Sequence, residues 1–132
     1  MSLKKQQGFT VLELVIVIVF LAVIGTVCII QSRNLQISQR DSQRKTAINA
    51  LYYNLEDVYY AAHKAYPQAI TADGLKGVDP SLLKDPDGVM IGDQNSDYTY
   101  TPKNCTNGQC KSYELRANLE QESDYIKDSR NQ

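Results

Sequence analysis

The sequence has no tryptophan, one histidine (His63), two methionines and two phenylalanines, and none of its four prolines precedes Pro67. With a single imidazole and no serine-centred motif, it offers no nucleophile–base pair. It also shows no glycine-rich phosphate loop and no quartet of metal ligands, so catalysis is left without candidates. Positive charge is sparse where a nucleic-acid surface would need it. The formal net charge is −1, and from Pro67 onward 7 basic residues stand against 11 acidic ones, with no dense basic patch. The lack of proline before Pro67 leaves a long helix unobstructed.

Apolar residues are concentrated at one end. Residues 9–30 read FTVLELVIVIVFLAVIGTVCII with one charge, Glu13, and the chain beyond Gln31 is polar, charged and rich in tyrosine. As a helix this run is roughly 33 Å long, slightly more than the hydrocarbon core of a bilayer. A buried soluble helix does not fit, because the lean remainder cannot wrap a helix that is apolar all round. A secretory signal is a closer rival, since Lys4 and Lys5 form a basic leader. Cleavage after the run would need small residues at the cut, however, and bulky Val27 precedes Cys28, which also argues against a lipid-modified Cys28. Glu13 is the informative residue: a carboxylate in an apolar helix is a functional hypothesis, set against a simple reach into the headgroup layer. Arg33, Arg40, Arg44 and Lys45 follow the run, which by the positive-inside rule places the C-terminal side in the cytoplasm.

Between Gln31 and Tyr66 no helix breaker occurs. Ile48, Leu51, Leu55, Val58, Ala62 and Ala65 recur at spacings of three and four, a helical stripe too short for a coiled coil. One long helix over 9–66 is therefore expected, with its second half packed on a downstream sheet. Asp79-Pro80 reads as a capped helical turn, and Asp85-Pro86-Asp87-Gly88 as a tight turn. Val89–Ile91 reads as a short strand. Residues 97–101 and 112–119 alternate like strands around Asn107-Gly108, a strong hairpin signal. Cys105 and Cys110 flank that turn. They suit a disulfide or half of a metal site; a structural zinc site needs four ligands and only His63 remains as another nitrogen or sulfur donor, so the disulfide and an oxidising compartment are favoured. The expected fold class is α+β, a long N-terminal helix on a small antiparallel C-terminal sheet (67–119), followed by a polar, frayed tail (120–132).

The segment KKQQGFTVLELVIVIVFLAVIG resembles the prepilin signature of type IV pilins and type II secretion pseudopilins: a short basic leader ending in Gly, then Phe, then Thr-x-x-Glu opening an apolar run. The resemblance is specific over residues 4–25, weaker to about 66 and only general beyond. It implies a leader (1–8) cut between Gly8 and Phe9 by a prepilin peptidase/methyltransferase, with methylation of Phe9. It implies a transmembrane and assembly helix (9–30) continued by an amphipathic one (31–66), and a pilin-like fold. It also implies that Glu13 meets the Phe9 amine of an adjacent subunit and sets register. The implied partners are the membrane, an inner-membrane assembly platform, and copies of itself and other pilins in a helical filament serving adhesion, motility, DNA uptake or secretion. The implied location is the cytoplasmic membrane before assembly, with the C-terminal domain outside the cytoplasm, and a cell-surface pilus or periplasmic pseudopilus afterwards. The longer motif outweighs the positive-inside count; the basic residues after the span would then face acidic groups of neighbouring subunits or lipid headgroups. Major pseudopilins carry calcium in a C-terminal loop, which makes Asp93, Asn95 and Asp97 weak calcium candidates. The pattern lacks the usual glycine and closing glutamate, and no other cofactor is implied. The alternative is a single-pass, membrane-anchored extracytoplasmic binding module that does not polymerise.

Overall fold

The computed structural model describes residues 8–131; most of the expected leader, including Lys4 and Lys5, lies outside them. The chain forms two compact units, Met1–Gln36 and Ile37–Gln132. Helix α1 (Val11–Tyr53) contributes residues to both.

In the first unit α1 begins at Val11 rather than Phe9. The reason is local. The Thr10 hydroxyl accepts the Glu13 N–H at 3.2 Å, and the Thr10 carbonyl accepts the Leu14 N–H at 3.1 Å. This is an N-cap, with Thr10-x-x-Glu13 the sequence of a capping box.

In the second unit α1 leads into a π-helical turn, Asn54–Tyr59, and then into α2 (Tyr60–His63). The helix thus ends three residues before the expected Tyr66. Lys64 adopts a left-handed conformation (φ 56°, ψ 24°), and its N–H caps the Tyr60 carbonyl at 2.8 Å. Tyr66 begins β1 (Tyr66–Pro67) instead and is fully buried. The apolar stripe holds only as far as the π turn: Ile48, Leu51 and Leu55 are buried, whereas Val58 and Ala62 are exposed. The wider turn inserts an extra residue and rotates the following side chains, so that Tyr59 and Tyr60 take the inward positions.

The sheet is antiparallel, and β3 (Gln109–Ala117) is its centre. On one side β2 (Tyr98–Thr106) pairs from Tyr98↔Ala117 to Thr106↔Gln109. On the other, β1 pairs at Tyr66↔Cys110 and β4 (Tyr125–Asp128) at Ala117↔Tyr125 through Glu114↔Asp128. Asn107 (φ 52°) and Gly108 (φ 80°) both take positive φ, the requirement of a two-residue type I′ turn. Asp79 caps the 3₁₀ turn Pro80–Leu83 by accepting the Ser81 N–H at 2.9 Å. Residues 89–91 contribute only a single bridge, Lys84↔Met90. The expected frayed tail is a correction: β4 lies within it, because its backbone completes the free edge of β3.

The core draws Ala47, Ile48, Leu51 and Leu55 from the helix, Tyr66, Tyr98, Tyr113, Leu115 and Ala117 from the strands, and Leu75, Leu83 and Ile91 from the loops. Each large side chain so buried contributes about 1.5–3 kcal/mol.

Candidate assembly helix and its supporting domain

The apolar part of α1 is not covered by any of the described residues. None of the most apolar stretch is buried, and every large apolar side chain from Val11 to Ile30 is exposed, along with Phe9. Two hydroxyls, one in this stretch and one just beyond it, bond back to the helix itself. Thr26 donates its hydroxyl to the Ala22 carbonyl at 2.8 Å, and Ser32 donates to the Cys28 carbonyl at 2.9 Å, the arrangement that lets hydroxyls enter an apolar environment. Cys28 is a free, exposed thiol. The helix is long and apolar enough to cross a membrane. At its head stand Gly8, Phe9, Thr10 and Glu13. The sequence reading missed the Thr10 cap, although a hydroxyl three residues before an acid and an apolar run is its signal.

Two polar clusters hold the second unit to its part of the helix. The first is centred on Arg44, whose side chain is 3% exposed. Its Nε and Nη2 donate to Asp97 Oδ2 at 3.0 and 2.7 Å, and its Nη1 donates to Asp41 Oδ1 at 2.9 Å and Glu120 Oε1 at 2.7 Å. Arg40 forks onto the same Glu120, and Lys45 pairs with Glu122. Burial would raise the Asp41 carboxyl, but the N–H groups of Glu120 and Gln121 and the Arg44 guanidinium outweigh it and hold the pKa below 3.8. Hydrogen bonds from Arg40 and then Arg44 bring Glu120 down from 4.5 to about 2. Three of the four basic residues after the apolar run, Arg40, Arg44 and Lys45, therefore pair with carboxylates of their own chain.

The second cluster surrounds buried Glu56 in the π turn. Its carboxylate accepts the Tyr113 hydroxyl at 2.8 Å, the Tyr66 hydroxyl at 3.0 Å and the Arg130 N–H at 3.1 Å. Burial, followed by the Glu56 carboxylate, pushes the Tyr113 phenol well above its usual range. Arg130 also donates to the Tyr52 hydroxyl and to Asp57, tying the C-terminal segment to the helix. Beside this cluster, Asn54 donates from Nδ2 to the Lys76 carbonyl at 2.9 Å. Its Oδ1 is the one buried side-chain polar atom without a partner among the described residues.

Cys105 and Cys110 form a disulfide across the β2–β3 hairpin, with Cα atoms 3.9 Å apart. The three calcium candidates are engaged differently. Asp97 is taken by Arg44 and its N–H is held by Asp85 Oδ2, Asn95 sits in a left-handed turn, and Asp93 is exposed. Among the described residues, no group of three or more His, Cys, Asp or Glu is placed to hold a metal. Buried Asp85 organises this loop by accepting the N–H groups of Asp87, Val89 and Asp97. His63 stacks on Tyr59, and its Nδ1 lies 3.0 Å from the Tyr59 carbonyl, a surface position at the helix end. Comparison with protein-family models finds no match, and comparison with curated proteins and with solved structures finds none either.

Proposed function

We propose that this chain is a structural subunit of a type IV filament, processed between Gly8 and Phe9 and polymerised through its N-terminal helix. One observation carries the reading. The helical stretch from Val11 to Ile30 has its large apolar side chains uncovered by the described residues, and it is headed by Gly8-Phe9-Thr10 with a lone acid at Glu13. Such a surface needs lipid before assembly and other apolar helices after it. Cutting after Gly8 creates an amine four residues from Glu13. In a dry bundle, a carboxylate on one helix and an amine on its neighbour neutralise one another, where either alone would be expensive. The second unit then sits outside the cytoplasm, which agrees with a hairpin closed by a disulfide.

The Thr10 cap favours the second reading, an anchored binding module that stays monomeric, because it gives the first turn around Glu13 a local role. The two readings separate at the N-terminus and in the polymer. Mass spectrometry of the membrane form begins at Phe9, with or without a methyl group, if the chain is a prepilin. Gly8→Val blocks that cut and retains the leader. A chain that begins at Met1 in cells with active prepilin peptidase, or one cut at Phe9 that never sediments as a polymer, refutes the filament reading.

A further inference from the structure

The second unit carries an open cleft whose chemistry neither the filament nor the anchor uses. Two adjoining cavities, of about 310 Å³ and 230 Å³, share two wall residues, Lys64 and Lys111. Tyr60 and Asn131 complete the first; Asn104 and Gln109 are among the walls of the second, and among the described residues no acidic side chain lines either. Both lysines are exposed, and neither meets a carboxylate among the described residues, whereas every arginine of this unit does. The backbone is unusual at the same place. Among the described residues four that are not glycine have positive φ, and two of them, Lys64 (56°) and Asn104 (55°), line the second cavity.

Lys64 occupies the position after a helix where glycine is the normal residue. A helix-end charge and its place 5.9 Å over the Tyr60 ring account for part of that choice. They do not account for Lys111 on strand β3, or for a set of described wall residues that holds ammonium and amide donors and no acidic side chain. Two ammonium groups match two negative charges, and side-chain amides add directional donors. We propose that this cleft binds a dianionic oxygen group, either free phosphate or a phosphate monoester. The proposal is independent of filament assembly.

The full chain in non-ionic detergent is titrated calorimetrically with inorganic phosphate, and separately with glycerol 3-phosphate, at low salt and about pH 8, where a phosphate monoester is a dianion. Wild type gives saturable one-to-one binding that weakens with added salt. Lys111→Gln and Lys64→Gly each reduce affinity by about tenfold, the value of one charged hydrogen bond. Lys64→Gly also holds or raises Tm, since glycine accepts the left-handed backbone, so its loss of binding is not a loss of fold. Lys84→Gln, exposed and outside the cleft, leaves binding unchanged. Binding of both probes identifies a monoester site, and binding of phosphate alone restricts the site to the free ion. No saturable binding of either probe, or equal losses in Lys84→Gln and Lys111→Gln, overturns the proposal.

Discussion

Replacing Arg44 by methionine tests how the second unit is held together. The guanidinium makes four charged hydrogen bonds to Asp97, Asp41 and Glu120, and its side chain and that of Asp41 are 3% and 4% exposed. Methionine fills much of the same volume but leaves Asp41 buried without its counter-charge and beside two further carboxylates. Breaking one side of a buried pair costs roughly 3–5 kcal/mol. Set against a total of about 5–15 kcal/mol for an ordinary domain, that is a large share. Tm falls by roughly 15 °C or more, at several degrees per kcal/mol for a unit of this size. Arg40→Met is the internal control: it removes a fork to the same Glu120, but from a solvent-screened position, and its effect is much smaller. Asp41→Asn in the Arg44→Met background recovers part of the loss, because it removes the stranded charge. Thermal and urea unfolding of the full chain in detergent, followed by tyrosine near-UV circular dichroism, measure all three. Equal stability for Arg44→Met and Arg40→Met would refute the argument that burial decides the value of these ion pairs.

The same cluster sets an acid limit. Asp41 and Glu120 have lowered pKa values in the fold, so their stabilisation is complete above their ordinary values of 3.8 and 4.5 and is lost as acid protonates them, for Glu120 as pH falls toward about 2; stability measured over that window falls with acid, and Arg44→Met flattens the slope. Cys105→Ser opens a short loop with a sequence separation of 5 and lowers stability by about 2 kcal/mol in urea melts. Gly108→Val meets nothing within 4 Å at its new Cβ, so its loss comes from the backbone at φ +80°, about 1–2 kcal/mol by the same measurement. Glu13→Val leaves the protein in the membrane fraction and cut after Gly8, yet abolishes sedimentable polymer. Glu13→Asp is milder, whereas Thr10→Ala, which removes only the cap, retains polymer; loss of polymer in Thr10→Ala but not in Glu13→Val would assign the head of the helix to capping alone.

By itself the sequence determined what depends on neighbours a few residues away. The apolar run and its lack of proline dictate a long uncovered helix, because a helix satisfies its own backbone in any solvent. Asp79-Pro80 and Asn107-Gly108 dictate their turns through side-chain capping and permitted φ, and the turn in its place brings Cys105 opposite Cys110. Thr10 was equally legible, as a hydroxyl three residues before Glu13 at the head of an apolar run. The tertiary structure alone decided the rest. Arg44 reaches Asp97 and Glu120 across sequence separations of 53 and 76, and nothing in the polar stretch around it marks one basic residue for burial and its neighbours for solvent. The π turn broke a stripe that was regular on paper. Near the rotated turn, Glu56 found hydrogen-bond donors in Tyr66, Tyr113 and Arg130, none of them local. Strand β4 was hidden for the same reason: its four residues show little pattern of their own, and they form a strand because the edge of β3 offers unpaired backbone groups that only the assembled sheet presents.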